Sequence, residues 1–156
     1  MKPAKPKSLK KSNRKTILNF LRSAEETTVN EIHKHVGLSK TTVMKIINYY
    51  LETGLLLEKG KGDSTEEGGK KPLLYQFNER HGHAFGIHIF PHELYIIVTD
   101  LRLNILEDYS SPIPATITAG EIIEKITKGI GSLQMSLSLP FEQCIGIAVG
   151  AHGITN

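Results

Sequence analysis

Tryptophan is absent from the 156 residues, cysteine occurs once, and aromatic residues make up only 6%. A single cysteine cannot close an internal disulfide, so the fold must rest on packing and hydrogen bonds. That cysteine, Cys144, lies in the apolar run Cys144 to Val149 and is expected to be a buried, inert thiol. No apolar run approaches the ~18 residues of a membrane span. The lysine-rich start, Met1 to Arg14, is not followed by the apolar stretch of a secretory signal. These absences point to a cytoplasmic protein without a membrane partner. Acidic residues are missing from Met1 to Ser12, which holds five lysines and two prolines. A basic disordered tail over residues 1–12 is expected there.

The charge that is present is unevenly spread. Residues 1–82 carry 16 Lys and Arg against 9 Asp and Glu, a net +7, whereas residues 83–156 carry 3 against 7, a net −4. The first part is suited to a polyanion and the second to some other task. A hydrophobic fraction of 39% is enough for the cores of one or two small domains.

Local patterns organise the basic part. Ile17, Leu18 and Leu21, with Phe20 beside them, predict a short amphipathic helix over Arg14 to Ser23. Thr28-Val-Asn-Glu31 is a capping-box signature, and Val29, Ile32 and Val36 mark one face of a second helix that Gly37 stops. Ser39 can cap a third helix, whose core face is Val43, Ile46, Ile47 and Tyr50, with Gly54 closing it. Two helices joined by a tight Gly37-Leu38 turn describe a helix-turn-helix. The strand-like runs Leu55 to Leu57 and Leu73 to Phe77 flank a loop, Gly60 to Lys71, that contains four glycines. A hairpin with a long loop is expected, a wing. The expectation is an α+β winged helix-turn-helix domain over residues 13–79.

From Ala84 the pattern changes. Ala84 to Phe90, Leu94 to Thr99 and Ile105 to Tyr109 read as strands, with a turn at Asp100 to Asn104 and a loop over Ser110 to Thr118. Ile122, Ile123, Ile126, Ile130 and Leu133 predict a helix over Ala119 to Leu137, weakened by Gly129 and Gly131. Cys144 to Val149 reads as a last strand. The order β-β-β-α-β predicts an α/β sheet ending in a parallel strand.

If the third helix enters a major groove, its outward side chains decide what it reads. The 100° step turns Thr41, Lys45 and Asn48 away from the core, with Thr42 and Met44 flanking. Ser39 and Lys40, at the helix start, are placed for phosphate. Lys70 and Lys71 end the wing loop, in position for a minor groove or for phosphates. The alternative in each case is an ordinary solvated surface. The seven cations between Lys2 and Lys15 add non-specific attraction or simply solubilise a tail. His81, His83, His88 and His92 are close in sequence but lack partners at metal-ligand spacing, so no metal site is expected.

Three stretches carry a family resemblance: Gly37-Leu-Ser-Lys-Thr-Thr-Val43, Leu51-Glu-Thr-Gly-Leu-Leu56 and Gly68-Gly-Lys-Lys-Pro72. They resemble the repressor branch of the ROK family (repressors, open reading frames and kinases), which usually has Gly-Gly-Arg-Arg-Pro at the last place. Phe85 to Ile89, Val98 to Leu101 and Ile145 to Gly150 resemble the start of that family's sugar-kinase-like domain. The resemblance implies a partial α/β domain of actin-like, ribonuclease-H-like type over residues 83–156. It also implies a repressor of carbohydrate-utilisation genes acting on double-stranded DNA as a homodimer, with a sugar-type effector. The family kinases cradle phosphate with Asp-x-Gly-Gly-Thr, where this chain has His88-Ile-Phe-Pro-His92. The family's later catalytic aspartate, sugar-binding Glu and His residues and zinc motif have no counterpart here. No enzyme activity, cofactor, catalytic residue or metal ligand is therefore expected. The alternatives are a degenerate sugar kinase and a protein-interaction module that uses the winged helix.

Overall fold

The computed structural model describes residues 6–62 and 71–152. The chain divides into two compact units, Met1–Asn78 and Glu79–Asn156.

The first unit begins with helix α1, Pro6–Ser23. This corrects two expectations: the disordered tail does not extend through Ser12, and the helix does not start at Arg14. Lysine and leucine are good helix formers, and proline suits a first helical position because its missing N–H would have no partner there. Residues 1–5 of the expected tail lie outside the described residues. Helix α2, Val29–Val36, has the full capping box. The Glu31 amide donates to Thr28 Oγ1 at 3.2 Å, and the Thr28 amide donates to Glu31 Oε2 at 2.7 Å. Gly37 ends the helix at φ 69°, and its amide donates to the His33 carbonyl. A side chain at Gly37 would be strained in this left-handed conformation. His33 Nδ1 then donates to the Leu38 carbonyl at 2.6 Å, which ties the turn to α2.

Helix α3, Lys40–Glu52, follows directly. Ser39 caps it by accepting the Thr42 amide at 3.3 Å. Val43, Ile46, Ile47 and Tyr50 are buried with Ile17 and Leu21 of α1 and Ile32 of α2. Tyr50 Oη donates to the Arg14 carbonyl at 2.8 Å, so the one polar atom of that core face is satisfied. Strands β1, Leu56–Lys61, and β2, Leu73–Phe77, form an antiparallel pair. The register shifts between Glu58 and Gly60, and Gly60 takes φ 106° at the irregularity. Thus β1 continues through Lys61, into what the sequence suggested was loop. Thr27 and Tyr75 exchange backbone hydrogen bonds of 2.9 and 2.8 Å, adding a bridge to the hairpin just before α2.

The second unit is an α/β structure around a mixed sheet. Strands β3 (His83–Ile89), β4 (Glu93–Asp100) and β5 (Ile105–Pro112) are antiparallel neighbours. Helix α4, Ala119–Ser136, leads over to β6, Cys144–Ala151, which pairs parallel to β3. The strand order is β5-β4-β3-β6. Strand β5 extends to Pro112 and takes in Ser110 and Ser111, which the sequence suggested were loop. Phe85, Ile87, Leu94, Ile96, Val98 and Leu133 form the centre of the core.

Gly129 does not break α4, because the helix must approach the sheet closely at that point. A Cβ there would lie 2.6 Å from Ile96 Cδ1 and 2.8 Å from Tyr109 Cδ1. The turn after β4 is held by Asp100. Its Oδ1 accepts the amides of Arg102 and Asn104 at 2.8 and 2.9 Å, and its Oδ2 accepts from Asn104 Nδ2 at 2.8 Å. Cys144 is half-buried, not buried, and the following Ile145, Ile147 and Val149 are 69%, 51% and 60% exposed. They lie on the edge strand, whereas α4 packs over β4 and β5.

Candidate nucleic-acid interface

The two faces of α3 differ because the residue types alternate at helical spacing. One face is closed in the core, and the other leaves Thr41, Lys45 and Asn48 exposed. Thr42 is half-buried, its hydroxyl lying 2.9 Å from Ser39 Oγ. Ser39 and Lys40 are both exposed at the helix start. The Ser39 hydroxyl therefore serves the helix as a cap, and only its outward side remains available to a ligand. The first turn of α3 contains no acidic residue. Besides the lysines of α1, the exposed cations Lys34, Lys40, Lys45, Lys59 and Lys61 stand on α2, α3 and β1, and Lys71 just before β2. Lys59 and Lys61 were not among the contact candidates read from the sequence. Their alternation along β1 was the available signal.

Lys71 is exposed at the base of the hairpin, beside Pro72, whose carbonyl accepts the Gly62 amide at 2.8 Å. Lys70, the other cation expected in the wing, lies outside the described residues. Arg14 does not join the exposed cations. Its guanidinium stacks 3.4 Å from the centroid of the Tyr49 ring.

Other candidate sites are dispersed. His81 and His92 are exposed, His83 is 1% exposed, and His88 is half-buried against the Phe90 ring at 4.0 Å. His83 opens β3, one residue before the strand start read from the sequence at Ala84. Neither of its ring nitrogens has a hydrogen-bond partner, and burial pushes its pKa below the ordinary histidine value. Among the described residues, no three His, Cys, Asp or Glu side chains gather as a metal site. Between β3 and β4 the Phe90 amide donates to the Glu93 carbonyl at 2.8 Å.

Three helices with an exposed polar face, a basic hairpin and an α/β unit with a mixed sheet define the structural class of this chain. Comparison with known proteins gives this class particular relatives. The chain is 26% identical over 153 residues to the xylose repressor of Staphylococcus xylosus, covering 92% of this chain and 37% of that protein. It is 30% identical over 100 residues to the xylose repressor of Bacillus spizizenii, covering 64% and 26% respectively. In three dimensions it matches the crystal structure of a ROK family transcriptional regulator, a homologue of the E. coli MLC protein. The TM-score is 0.66 at 16% identity, over 95% of this chain and 37% of that one. The chain thus resembles xylose repressors in sequence and a ROK family transcriptional regulator in fold along nearly all of its length, and it spans a little over a third of the length of the first of these relatives. No family model matches it.

Proposed function

We propose that this chain is a sequence-specific DNA-binding transcriptional regulator, a repressor of carbohydrate-utilisation genes. In this reading residues 13–79 act as a winged helix-turn-helix and residues 83–156 as the start of a sugar-kinase-like domain of actin-like type. The carrying observation is α3, which buries Val43, Ile46, Ile47 and Tyr50 while leaving Thr41, Lys45 and Asn48 exposed. Thr, Lys and Asn offer the donors and acceptors that base edges and phosphates require. Lys70 and Lys71 serve as wing contacts, Ser39 and Lys40 contact phosphate at the start of α3, and Thr42 flanks the reading face. The names of the relatives, xylose repressors, support the carbohydrate assignment. The chain acts as a homodimer on two half-sites, with a sugar-type effector.

Sugar phosphorylation is not its task. Phosphoryl transfer needs backbone amides open to the nucleotide phosphates and a carboxylate at the reacting hydroxyl. Here the Phe90 amide is spent on Glu93, Pro91 has no amide to give, and the Asp100 carboxylate is engaged in its turn. Selection of bound sequences from random double-stranded DNA tests the proposal. A single enriched motif that Lys45→Ala no longer recovers is the expected result, and no enrichment overturns it.

A further inference from the structure

Beside the exposed face of α3 runs a groove of about 260 Å³, lined by Val29, Asn30, Met44, Lys71, Leu73 and Tyr75. Met44 is 39% exposed and Leu73 37%, so two apolar side chains meet solvent where the surroundings are polar and basic. The core does not require Met44, since Val43, Ile46, Ile47 and Tyr50 already fill the buried face. Lys45 follows it on α3, and Lys71 stands in the groove wall, so a polyanion is drawn to this place. The one apolar group that a DNA major groove displays is the thymine C5-methyl. Methionine, unbranched and polarisable, adapts to such a group without a fixed geometry.

We propose that Met44 is a specificity-determining residue that reads a thymine C5-methyl group in the major groove, with Leu73 closing the far side of the contact. The inference rests on α3 being the DNA-reading helix, and it adds an apolar readout to the polar one of Thr41, Lys45 and Asn48.

Deoxyuridine pairs as thymidine does but lacks the methyl, so it isolates this contact. The thymines of the selected site are replaced one at a time, and the dissociation constant is measured for the full chain and for Met44→Ala, Met44→Gln and Met44→Leu. One position per half-site should cost the original chain about fourfold, the value for withdrawing one methyl-sized apolar group from a contact. Met44→Ala and Met44→Gln should lose that discrimination at that position alone, and Met44→Leu should keep it. The pair of variants covers the case in which one of them folds poorly. The proposal is overturned if no thymine shows a methyl effect, if both variants retain it, or if the selected site contains no thymine. In those outcomes the selected motif and its Lys45 dependence still stand, so the DNA-binding reading survives. Only a selection without any motif removes both.

Discussion

Thr41, Lys45 and Asn48 share one exposed stripe on α3, so their removal should be felt at the bases and not in the fold. Each alanine variant should weaken binding to the selected site by about 1–3 kcal/mol and barely change binding to random DNA. Titration of both DNAs by fluorescence anisotropy checks this, and three unaltered affinities would remove the helix from the interface. His83 makes a different prediction, about pH. Its imidazole is 1% exposed, with no partner for either ring nitrogen, and burial lowers its pKa. The unfolded chain therefore takes up a proton more readily than the folded one. The contribution of His83 to stability is whole above about pH 6.5, the ordinary value, and is lost as pH falls from there toward the folded value. Melting curves between pH 7.5 and 5 should show the second unit weakening, and His83→Phe should flatten that dependence. An equal slope in both proteins would place the acid sensitivity elsewhere.

At the scale of elements, close packing overrides intrinsic preference in α4. An exposed glycine in mid-helix would gain about 1 kcal/mol on replacement by alanine. At Gly129 the new Cβ meets Ile96 and Tyr109 below 3 Å, so the helix or the sheet must shift. Gly129→Ala should therefore destabilise the protein, and Gly129→Val should cost a further ~1–3 kcal/mol through overpacking. By contrast Gly131, with open space around its Cβ position, should gain from alanine. Urea unfolding of the three variants decides, and a stabilising Gly129→Ala would show that the helix stands further from the sheet. Helix α2 depends instead on its cap. Thr28→Ala removes the acceptor for the Glu31 amide and should cost about 1 kcal/mol.

The whole molecule separates charge as it separates its two compact units. The net +7 of residues 1–82 against −4 for the rest confines polyanion attraction to one end of the sequence. Binding to DNA should weaken steeply with salt, by about 0.9 in log-log slope for each phosphate neutralised. Alanine at both Lys70 and Lys71 should flatten that slope by about 1–2. An unchanged slope would leave the wing out of the complex. None of the described helices is long and apolar enough to cross a membrane.

Much of this chain was legible locally. The capping boxes at Thr28 and, in the structure, Thr118, the stop at Gly37 and the α3 core face all depend on residues a few positions apart. So did the outward stripe of Thr41, Lys45 and Asn48, and the turn at Asp100, because helix period and turn chemistry are short-range properties. Other features needed partners distant in sequence. Nothing near Gly129 announces the Tyr109 ring against it, and nothing near Met44 announces Leu73. The apolar run Cys144 to Val149 predicted burial, yet its place at the sheet edge, beyond the cover of α4, left its larger side chains exposed. His83, just outside the strand read from Ala84, became buried because β3 begins there and pairs with Asp100 and Cys144. A sequence determines which side chains alternate along an element. Which of those faces is covered, and how closely, is decided only when remote segments pack together.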